Sequence, residues 1–197
     1  MNAKRSLRSY RSKRDFRRTP EPADSRNRRS SARRFVVHKH VASRLHYDVR
    51  LQIGRVLKSW AVPKGPSVNP KVKRLAVEVE DHPLDYAEFE GVIPKGEYGS
   101  GTVMVWDKGT YRNISQKHGK PVSLKRAIAG GHASIWLDGK KLKGGFALIH
   151  TKKPKKENWL LIKMDDKEAD ARRKPLKTEV KSALSGRTMK QIAREEK

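Results

Sequence analysis

One stretch, residues 45–53, constrains this chain more than any other, because it alternates between apolar and polar side chains. Its sequence is Leu-His-Tyr-Asp-Val-Arg-Leu-Gln-Ile. In an extended chain, successive side chains point to opposite faces. The stretch therefore predicts a β-strand with one apolar face and a second face that carries His46, Asp48 and Arg50.

The stretch before it has the same alternation and places Val36, His38 and His40 on one face. Neighbouring strands of this kind bring imidazoles, a carboxylate and a guanidinium to one wall of a sheet. Imidazole nitrogen and carboxylate oxygen suit a divalent first-row metal, and a guanidinium suits a phosphate oxygen. His38 and His40 alone could be half-buried surface residues, but the combination favours a metal-dependent phosphoesterase.

Short apolar alternations separated by Gly, Pro and Asp continue through the middle of the chain and predict a mainly β protein. Asp138-Gly139 is a hairpin turn signal, and only Val122–Ala129 and a segment near 179–194 have a helical pattern. Short strands at this spacing indicate an antiparallel β-barrel or sandwich. The predicted strands are 35–40, 45–53, 56–62, 73–80, 101–106, 133–137, 142–149 and 158–164.

The two ends of the chain have a different composition from its middle. Residues 1–34 are rich in Arg, Ser, Pro and Asn with few apolar side chains, which predicts a solvated arm. Residues 167–197 are again charged and predict a basic, partly helical tail, in which Thr188 is placed to cap the last helix. The glycine-rich stretch 91–101 lacks the Gly-Lys-Ser/Thr of a P-loop and predicts a turn-rich connection at a barrel rim.

The net charge of +26 for 197 residues implies a partner with dense negative charge. Nucleic acid fits best, because no amphipathic apolar stripe accompanies the basic runs to favour a membrane surface. The chain has no cysteine, which excludes disulfides and thiolate metal sites. With no transmembrane stretch or apolar signal core either, we expect a soluble intracellular protein.

A second group of polar residues follows in residues 74–86. Strand parity predicts that Arg74, Glu78, Glu80 and His82 share one face, opposite Leu75, Val77 and Val79. Tyr86 follows shortly after, and Lys64 lies at the predicted end of an earlier strand. An acid–base histidine beside a tyrosine and a carboxylate is suited to handling a phosphate.

Four motifs together resemble a known family, the 3′-phosphoesterase module of bacterial ligase D, over about residues 10–166. They are Arg-Phe-Val-Val-His-Lys-His at 34–40, Arg-Leu-His-Tyr-Asp-Val-Arg-Leu at 44–51, Leu-Lys-Ser-Trp-Ala-Val-Pro-Lys-Gly-Pro at 57–66 and Glu-Asp-His-Pro-Leu-Asp-Tyr at 80–86. The resemblance implies a compact β-barrel at residues 35–166, between an arm at 1–34 and the tail at 167–197.

The resemblance also implies roles for individual residues. It implies Mn²⁺ ligands at His40, His46 and Asp48, with Co²⁺ or Zn²⁺ as other metals. It assigns contact with the scissile phosphate to Arg50, His82 and Tyr86, and support of the pocket to Lys64, Arg74 and Glu80. It further implies that the arm contributes to activity through Arg14, Asp15 and Glu21.

The activity that the resemblance implies is healing of DNA 3′ ends during double-strand break repair by end joining. A terminal ribonucleoside is first removed from a primer-template by cutting a phosphodiester. The remaining 3′-phosphate is then hydrolysed to a 3′-OH. A separate DNA ligase, polymerase or end-binding protein is a further expected partner.

The chain departs from the family pattern in two ways. His38 stands where the family often has Gln, and it is expected either to ligate the metal or to hold the site by a hydrogen bond; we favour the second. No polymerase or ligase region accompanies the module, so a free-standing version is expected.

Two other functions are compatible with part of the sequence. A non-catalytic basic nucleic-acid-binding protein explains the charge but not the paired polar faces. A cupin-like metal oxidoreductase explains two histidines on a β-barrel but does not require Arg50, Lys64 or the basic arms.

Overall fold

The computed structural model describes residues 6–23, 33–151 and 157–195, and β-strands are the main secondary structure of this part. The strands are β1 (Arg34–Val41), β2 (Leu45–Ile53), β3 (Val56–Val62), β4 (Lys73–His82), β5 (Gly91–Ile93), β6 (Gly101–Asn113), β7 (Gln116–Lys117), β8 (Lys120–Pro121), β9 (His132–Gly139), β10 (Lys143–His150) and β11 (Asn158–Lys163).

Eight of these strands close into an antiparallel barrel. They follow the order β1-β2-β3-β4-β11-β10-β9-β6, and β6 pairs back onto β1, so the sheet has no open edge there. β5 adds to the first residues of β6, and β7 and β8 form a small separate hairpin. The prediction of a mainly β protein with an antiparallel barrel is therefore confirmed.

The inner face of the barrel holds the larger hydrophobic core. Tyr47, Val49 and Leu51 of β2 are buried there against Trp60 and Trp106. Burying a large apolar side chain stabilises the fold by about 1.5–3 kcal/mol. The alternation of residues 45–53 thus selects the side of β2 that faces this core.

A second buried cluster lies on the outer face of the same strands. Val36 of β1 and Leu57 of β3 belong to it, and a 3₁₀ helix at Leu84–Glu88 covers it. The N-terminal segment, with helix α1 (Arg8–Ser12), adds Leu7 and Tyr10, which are 1% and 0% exposed. The outer wall of β1–β3 is consequently buried as well as the inner one.

The N-terminal segment differs from its prediction. The prediction of a solvated arm is wrong for residues 6–23. Leu7 and Tyr10 pack on the barrel, and Tyr10 Oη donates to the Pro22 carbonyl at 2.8 Å. Few apolar residues are enough here, since they are placed on the side that meets the outer wall. Residues 1–5 and 24–32 lie outside the described part of the chain, and the division at residues 34 and 166 stays a prediction.

The C-terminal segment also packs on the barrel. The Ala183 amide donates to the Val105 carbonyl at 2.8 Å, and Ile192 is fully buried in the inner core. Its helices are α3 (Pro175–Thr178) and α4 (Met189–Glu195), after α2 (Leu124–Ala129). Thr188 caps α4 as predicted, with its Oγ1 accepting from the Gln191 amide at 3.3 Å.

Two details of the strands depart from the sequence patterns. β6 extends beyond its predicted end at residue 106 to Asn113, and the predicted loop 91–101 begins with the short strand β5. No helix among the described residues is long and apolar enough to cross a membrane.

Candidate metal centre and phosphate site

The β1–β2 hairpin brings the predicted metal ligands together as cross-strand neighbours. His40 pairs with His46, and His38 pairs with Asp48, in the antiparallel register. Side chains directly opposite each other on one face have Cβ atoms about 4.5–5.5 Å apart. The rings of His40 and His46 accordingly have centroids 4.7 Å apart.

The three side chains of His40, His46 and Asp48 form a compact group of metal-binding atoms. One nitrogen of each imidazole and one carboxylate oxygen all lie within 4.8 Å of one another. His46 Nε2 is 3.8 Å from Asp48 Oδ2. Two imidazoles with one carboxylate make a donor set typical of first-row divalent metals, and it leaves coordination positions open.

Backbone carbonyls orient both histidine rings. His40 Nε2 lies 2.9 Å from the Gly99 carbonyl oxygen, and His46 Nδ1 lies 3.0 Å from that of Arg44. A carbonyl only accepts, so these nitrogens carry the protons, and His40 Nδ1 and His46 Nε2 are left with free lone pairs. Burial also lowers the pKa of His40, which keeps its ring neutral. The residues therefore fit a divalent metal.

Arg50 is in direct contact with this group, and it is buried at 3% exposure. Its Nη2 donates to Asp48 Oδ2 at 3.0 Å, and its Nη1 donates to Ser59 Oγ at 2.9 Å. Its Nε donates to His38 Nδ1 at 3.2 Å. The guanidinium is thus fixed beside the metal-binding carboxylate.

His38 lies on the same wall but outside the metal-binding group. Its Nδ1 accepts from Arg50, which a ligating nitrogen could not do at the same time. Burial, followed by the charge of Arg50, holds the pKa of His38 well below its usual range. This placement supports the interpretation of His38 as a hydrogen-bonding residue of the site.

His82 and Tyr86 cover the other side of Arg50. His82 Nδ1 lies 2.9 Å from Arg50 Nη1 and 2.9 Å from the Glu80 carbonyl oxygen. The Arg50 guanidinium sits 4.9 Å from the centroid of the Tyr86 ring, within the range of a cation–π contact. Burial, followed by Arg50, holds the pKa of His82 well below its usual range, so its ring is neutral.

The N-terminal segment completes this side of the site. Glu21 Oε1 accepts from Tyr86 Oη at 3.0 Å and from Arg14 Nε at 2.9 Å, and its Oε2 accepts from Thr19 Oγ1 at 2.9 Å. Burial, followed by the Glu21 carboxylate, raises the pKa of Tyr86 well above its usual range. The predicted residues Arg14 and Glu21 are therefore joined to Tyr86.

Glu80 joins the same network from β4. Its carboxylate accepts from Arg14 Nη1 at 3.3 Å and from Lys13 Nζ at 3.0 Å. Burial alone would raise the pKa of Glu80, but the hydrogen bond from Lys13, a backbone hydrogen bond and the charges of Lys13 and Arg14 together outweigh it, and the pKa is lowered. Glu80 thus holds the N-terminal segment against the wall that carries the site.

The structure does not bring every predicted residue into this network. The Asp15 carboxylate pairs with Arg17 at 3.0 Å, whereas Arg14 pairs with Glu21 and Glu80. Lys64 is exposed in the turn after β3, at the end of the sheet that also carries His46. Arg74 is half-buried in β4 opposite Leu161, and its Nε has no hydrogen-bond partner among the described residues.

The predicted common face of Arg74, Glu78, Glu80 and His82 is wrong. A register shift separates the β3–β4 pairs Ser59–Val79 and Leu57–His82, where β4 has one residue more than β3. Such a bulge reverses strand parity. Glu78 therefore accepts at 3.0 Å from Nε1 of Trp159, a residue of the inner core, while Glu80 faces the N-terminal segment.

Several residues of the site are not singled out by the sequence as parts of it. Ser59 anchors Arg50, the Gly99 carbonyl orients His40, and the Tyr10 ring covers His82 with centroids 5.0 Å apart. A serine, a backbone carbonyl and an arm tyrosine carry no motif by themselves. Only their positions after folding show what they contact.

The family model and the similar proteins that match this chain all indicate the same family. A family model described as the DNA Ligase D 3′-phosphoesterase domain matches residues 38–150. The protein named multifunctional non-homologous end joining protein LigD from Pseudomonas aeruginosa is 48% identical over 96% of this chain. The protein of the same name from Mycolicibacterium smegmatis is 43% identical over 81% of it, and a LigD of Mycobacterium tuberculosis is 44% identical over 74%.

These relatives are much longer than the matched region. The chain spans 22% of the Pseudomonas protein, 21% of the Mycolicibacterium protein and 18% of the Mycobacterium protein. The family match includes the metal-binding side chains of His40, His46 and Asp48, as well as His82 and Tyr86. The chain therefore belongs to the ligase D 3′-phosphoesterase domain family.

Proposed function

We propose that this protein is a metal-dependent phosphoesterase that heals DNA 3′ ends. The observation that carries the proposal is the group of His40, His46 and Asp48, with both rings oriented by carbonyls and Arg50 fixed beside it. Mn²⁺ is the proposed metal. When bound, a divalent metal supplies Lewis-acid polarisation of a phosphate oxygen.

The residues around that group are suited to holding a phosphate. Arg50 has five N–H donors, and its contacts with His38, Ser59, Asp48 and His82 use at most four of them. One donor is left for a phosphate oxygen, and Arg50 is held in place by the other contacts. Charge placed in advance in a site that excludes water stabilises developing charge more than a mobile side chain does.

The proposed reaction has two steps. The first removes a 3′-terminal ribonucleoside from a primer-template, and the second hydrolyses the remaining 3′-phosphate to a 3′-OH. A 2′-OH is the group by which a protein distinguishes RNA from DNA at one position. The first step should therefore require a 3′-ribonucleotide, whereas the second accepts a 3′-phosphate on DNA.

The charge of the chain supports DNA as the substrate. A net charge of +26 favours binding to a phosphate backbone, and this attraction falls with added salt. A binding protein without activity would not need two histidine rings oriented by carbonyls. We place the activity in the cytoplasm on nucleoid DNA, within end joining, alongside a separate ligase, polymerase or end-binding protein.

A labelled duplex ending in a 3′-phosphate tests the proposal. The protein should release phosphate with Mn²⁺, and EDTA should stop the reaction. His46→Ala should lose the activity, because it removes one of three metal-binding side chains. His132→Ala is the matched control, since His132 is an exposed histidine on β9. Release that resists EDTA, or that survives in a folded His46→Ala protein, would rule out the metal assignment.

A further inference from the structure

One exposed aromatic ring lies at the edge of the network described above, on the loop that also orients a ring of the metal-binding group. Tyr98 is 47% exposed, and it is the only aromatic residue among the exposed large hydrophobic side chains of the described chain. It lies in the turn-rich loop of residues 94–100. The next residue, Gly99, provides the carbonyl that orients His40.

The loop that carries Tyr98 is held in place by its backbone. Two successive turns are closed by Glu97 N to Pro94 O at 3.2 Å and Ser100 N to Glu97 O at 3.1 Å. Gly101 follows at φ +138°, where an added Cβ would be 2.1 Å from the Val41 carbonyl oxygen. This close approach fixes the loop against the end of β1, directly after His40.

The N-terminal segment places cations around part of the ring. Lys13 Nζ donates to Tyr98 Oη at 3.3 Å and lies 4.6 Å from the ring centroid, and the Arg14 guanidinium lies 5.3 Å from it. Arg18 and Glu97 form an ion pair at 3.0 Å that joins the segment to the loop. A fixed ring with cations beside it and an open surface is suited to a flat, uncharged group attached to a phosphate.

We propose that Tyr98 is the stacking platform for the terminal nucleobase of the DNA 3′ end, the base of the nucleotide whose 3′-oxygen carries the phosphate to be removed. The proposal rests on the proposed function, because it takes the metal-binding group as the position of that phosphate. Aromatic rings bind bases in this way without sequence preference, since every base has a π-face. Such tolerance suits an enzyme that must accept any DNA end.

The competing explanation is that Tyr98 only clamps the N-terminal segment through Lys13. The two explanations differ in what the tyrosine must supply. A clamp through Lys13 needs the hydroxyl, whereas stacking needs only the ring. A clamp is also indifferent to whether the DNA end carries a base.

Binding to a product end separates them. The DNA is a duplex with a 3′-OH and 2-aminopurine as its terminal base, which cannot be hydrolysed further and whose fluorescence is quenched by stacking. Mn²⁺ is present throughout, and a matched duplex with an abasic 3′-terminal nucleotide serves as the second probe. The proteins compared are the unaltered chain, Tyr98→Phe, Tyr98→Ala and, as the control for the Arg18 ion pair, Glu97→Gln.

Stacking predicts a specific pattern. The unaltered chain, Tyr98→Phe and Glu97→Gln should quench the terminal 2-aminopurine, and Tyr98→Ala should not. Tyr98→Ala should weaken binding of the intact end about tenfold, equivalent to about 1.4 kcal/mol. Removal of the base should weaken binding by the unaltered chain to a similar extent. It should have little further effect in Tyr98→Ala, because the losses of binding free energy from removing the two partners of one contact are not additive.

Other results would overturn the proposal. If Tyr98→Phe loses quenching and affinity as Tyr98→Ala does, Tyr98 acts through the N-terminal segment. The same conclusion follows if Glu97→Gln also loses quenching. If Tyr98→Ala weakens binding of the abasic end as much as of the intact end, or has no effect on either, the ring does not contact the base. Because the probe is a 3′-OH end, failure of the unaltered chain to release phosphate would refute the proposed function separately.

Discussion

The N-terminal and C-terminal segments have the same kind of sequence, but they pack on different parts of the barrel. Residues 6–23 lie on the outer wall, where Arg14 and Glu21 join Tyr86 and Glu80. Residues 165–195 instead reach the inner core, where Ile192 is buried, and Trp106 Nε1 donates to the Glu179 carbonyl at 2.7 Å.

This difference indicates that the two segments have different roles. The buried polar contacts of the N-terminal segment converge on the candidate site, so its loss should affect activity first. The C-terminal segment satisfies buried donors of the barrel itself, including Lys141 Nζ, which donates to the Glu179 carbonyl at 3.1 Å. Its loss should affect folding first. Charged composition alone does not distinguish these two cases.

Removal of residues 175–197 is expected to have the largest effect. It exposes the inner core at Ile192 and leaves Trp106 Nε1 and Lys141 Nζ without their acceptors. Together these losses should lower the free energy of unfolding by at least about 5 kcal/mol. Urea unfolding followed by circular dichroism measures it. Ile192→Ala isolates the apolar part, at about 2–5 kcal/mol, and an unchanged unfolding midpoint in the truncated chain would contradict this role.

Removal of residues 1–22 should leave the barrel folded but should reduce its activity strongly. No barrel strand is lost, yet Arg14, Glu21 and the covering Tyr10 ring are. Misplacing catalytic side chains by about 1 Å can cost about a hundredfold in rate, and we expect a loss of this size in kcat at saturating DNA. If saturating DNA restores the full rate, the N-terminal segment only tethers DNA and does not position the side chains of the site.

Glu21→Gln tests the same segment by replacing one carboxylate oxygen with an amide group. It removes the charge that joins Arg14 to Tyr86 but keeps the shape, and it should lower kcat about tenfold. Because Glu21 and Tyr86 are in contact, Tyr86→Phe should add little to it in a double variant. Asp15→Asn is the matched control, since Asp15 pairs with Arg17 outside this network, and it should leave kcat unchanged. A larger loss in Asp15→Asn than in Glu21→Gln would reverse the assignment.

The smallest effect is expected at His38, within the wall and apart from both segments. His38→Gln keeps an acceptor for Arg50 Nε and should retain most of the activity, with the same dependence on Mn²⁺ concentration. His38→Ala leaves the Arg50 Nε donor without its partner and should lower the activity about tenfold. A Gln variant that needs much more Mn²⁺ for the same rate would show that His38 ligates the metal.

The metal-binding hairpin could be predicted from sequence because strand alternation is a local property. Every second residue of a strand lies on the same face whatever the rest of the chain does. Residues 45–53 therefore separate Tyr47, Val49 and Leu51 from His46, Asp48 and Arg50 without further information. A two-stranded hairpin then places His40 opposite His46.

Parity also shows where this local argument fails. The bulge between β3 and β4 adds one residue to β4, so Glu78 and Glu80 contact different parts of the molecule. A bulge depends on how two strands pair, and no pattern in residues 74–82 announces it. Parity therefore fails within β4, which carries the extra residue, and holds within β1, because the irregular β1–β6 pairing places its extra residue in β6.

The sequence by itself determined where the barrel strands begin, the apolar face of β2 and the polar face that holds His40, His46, Asp48 and Arg50. Only the tertiary structure decided that Glu21 meets Tyr86, 65 residues away, that Ser59 and the Gly99 carbonyl orient the site, and that Asp15 does not join it. The physical reason is the range of the interactions. Alternation is fixed by neighbouring residues along the chain, whereas contacts between distant segments exist only after the barrel has closed and the terminal segments have packed against it.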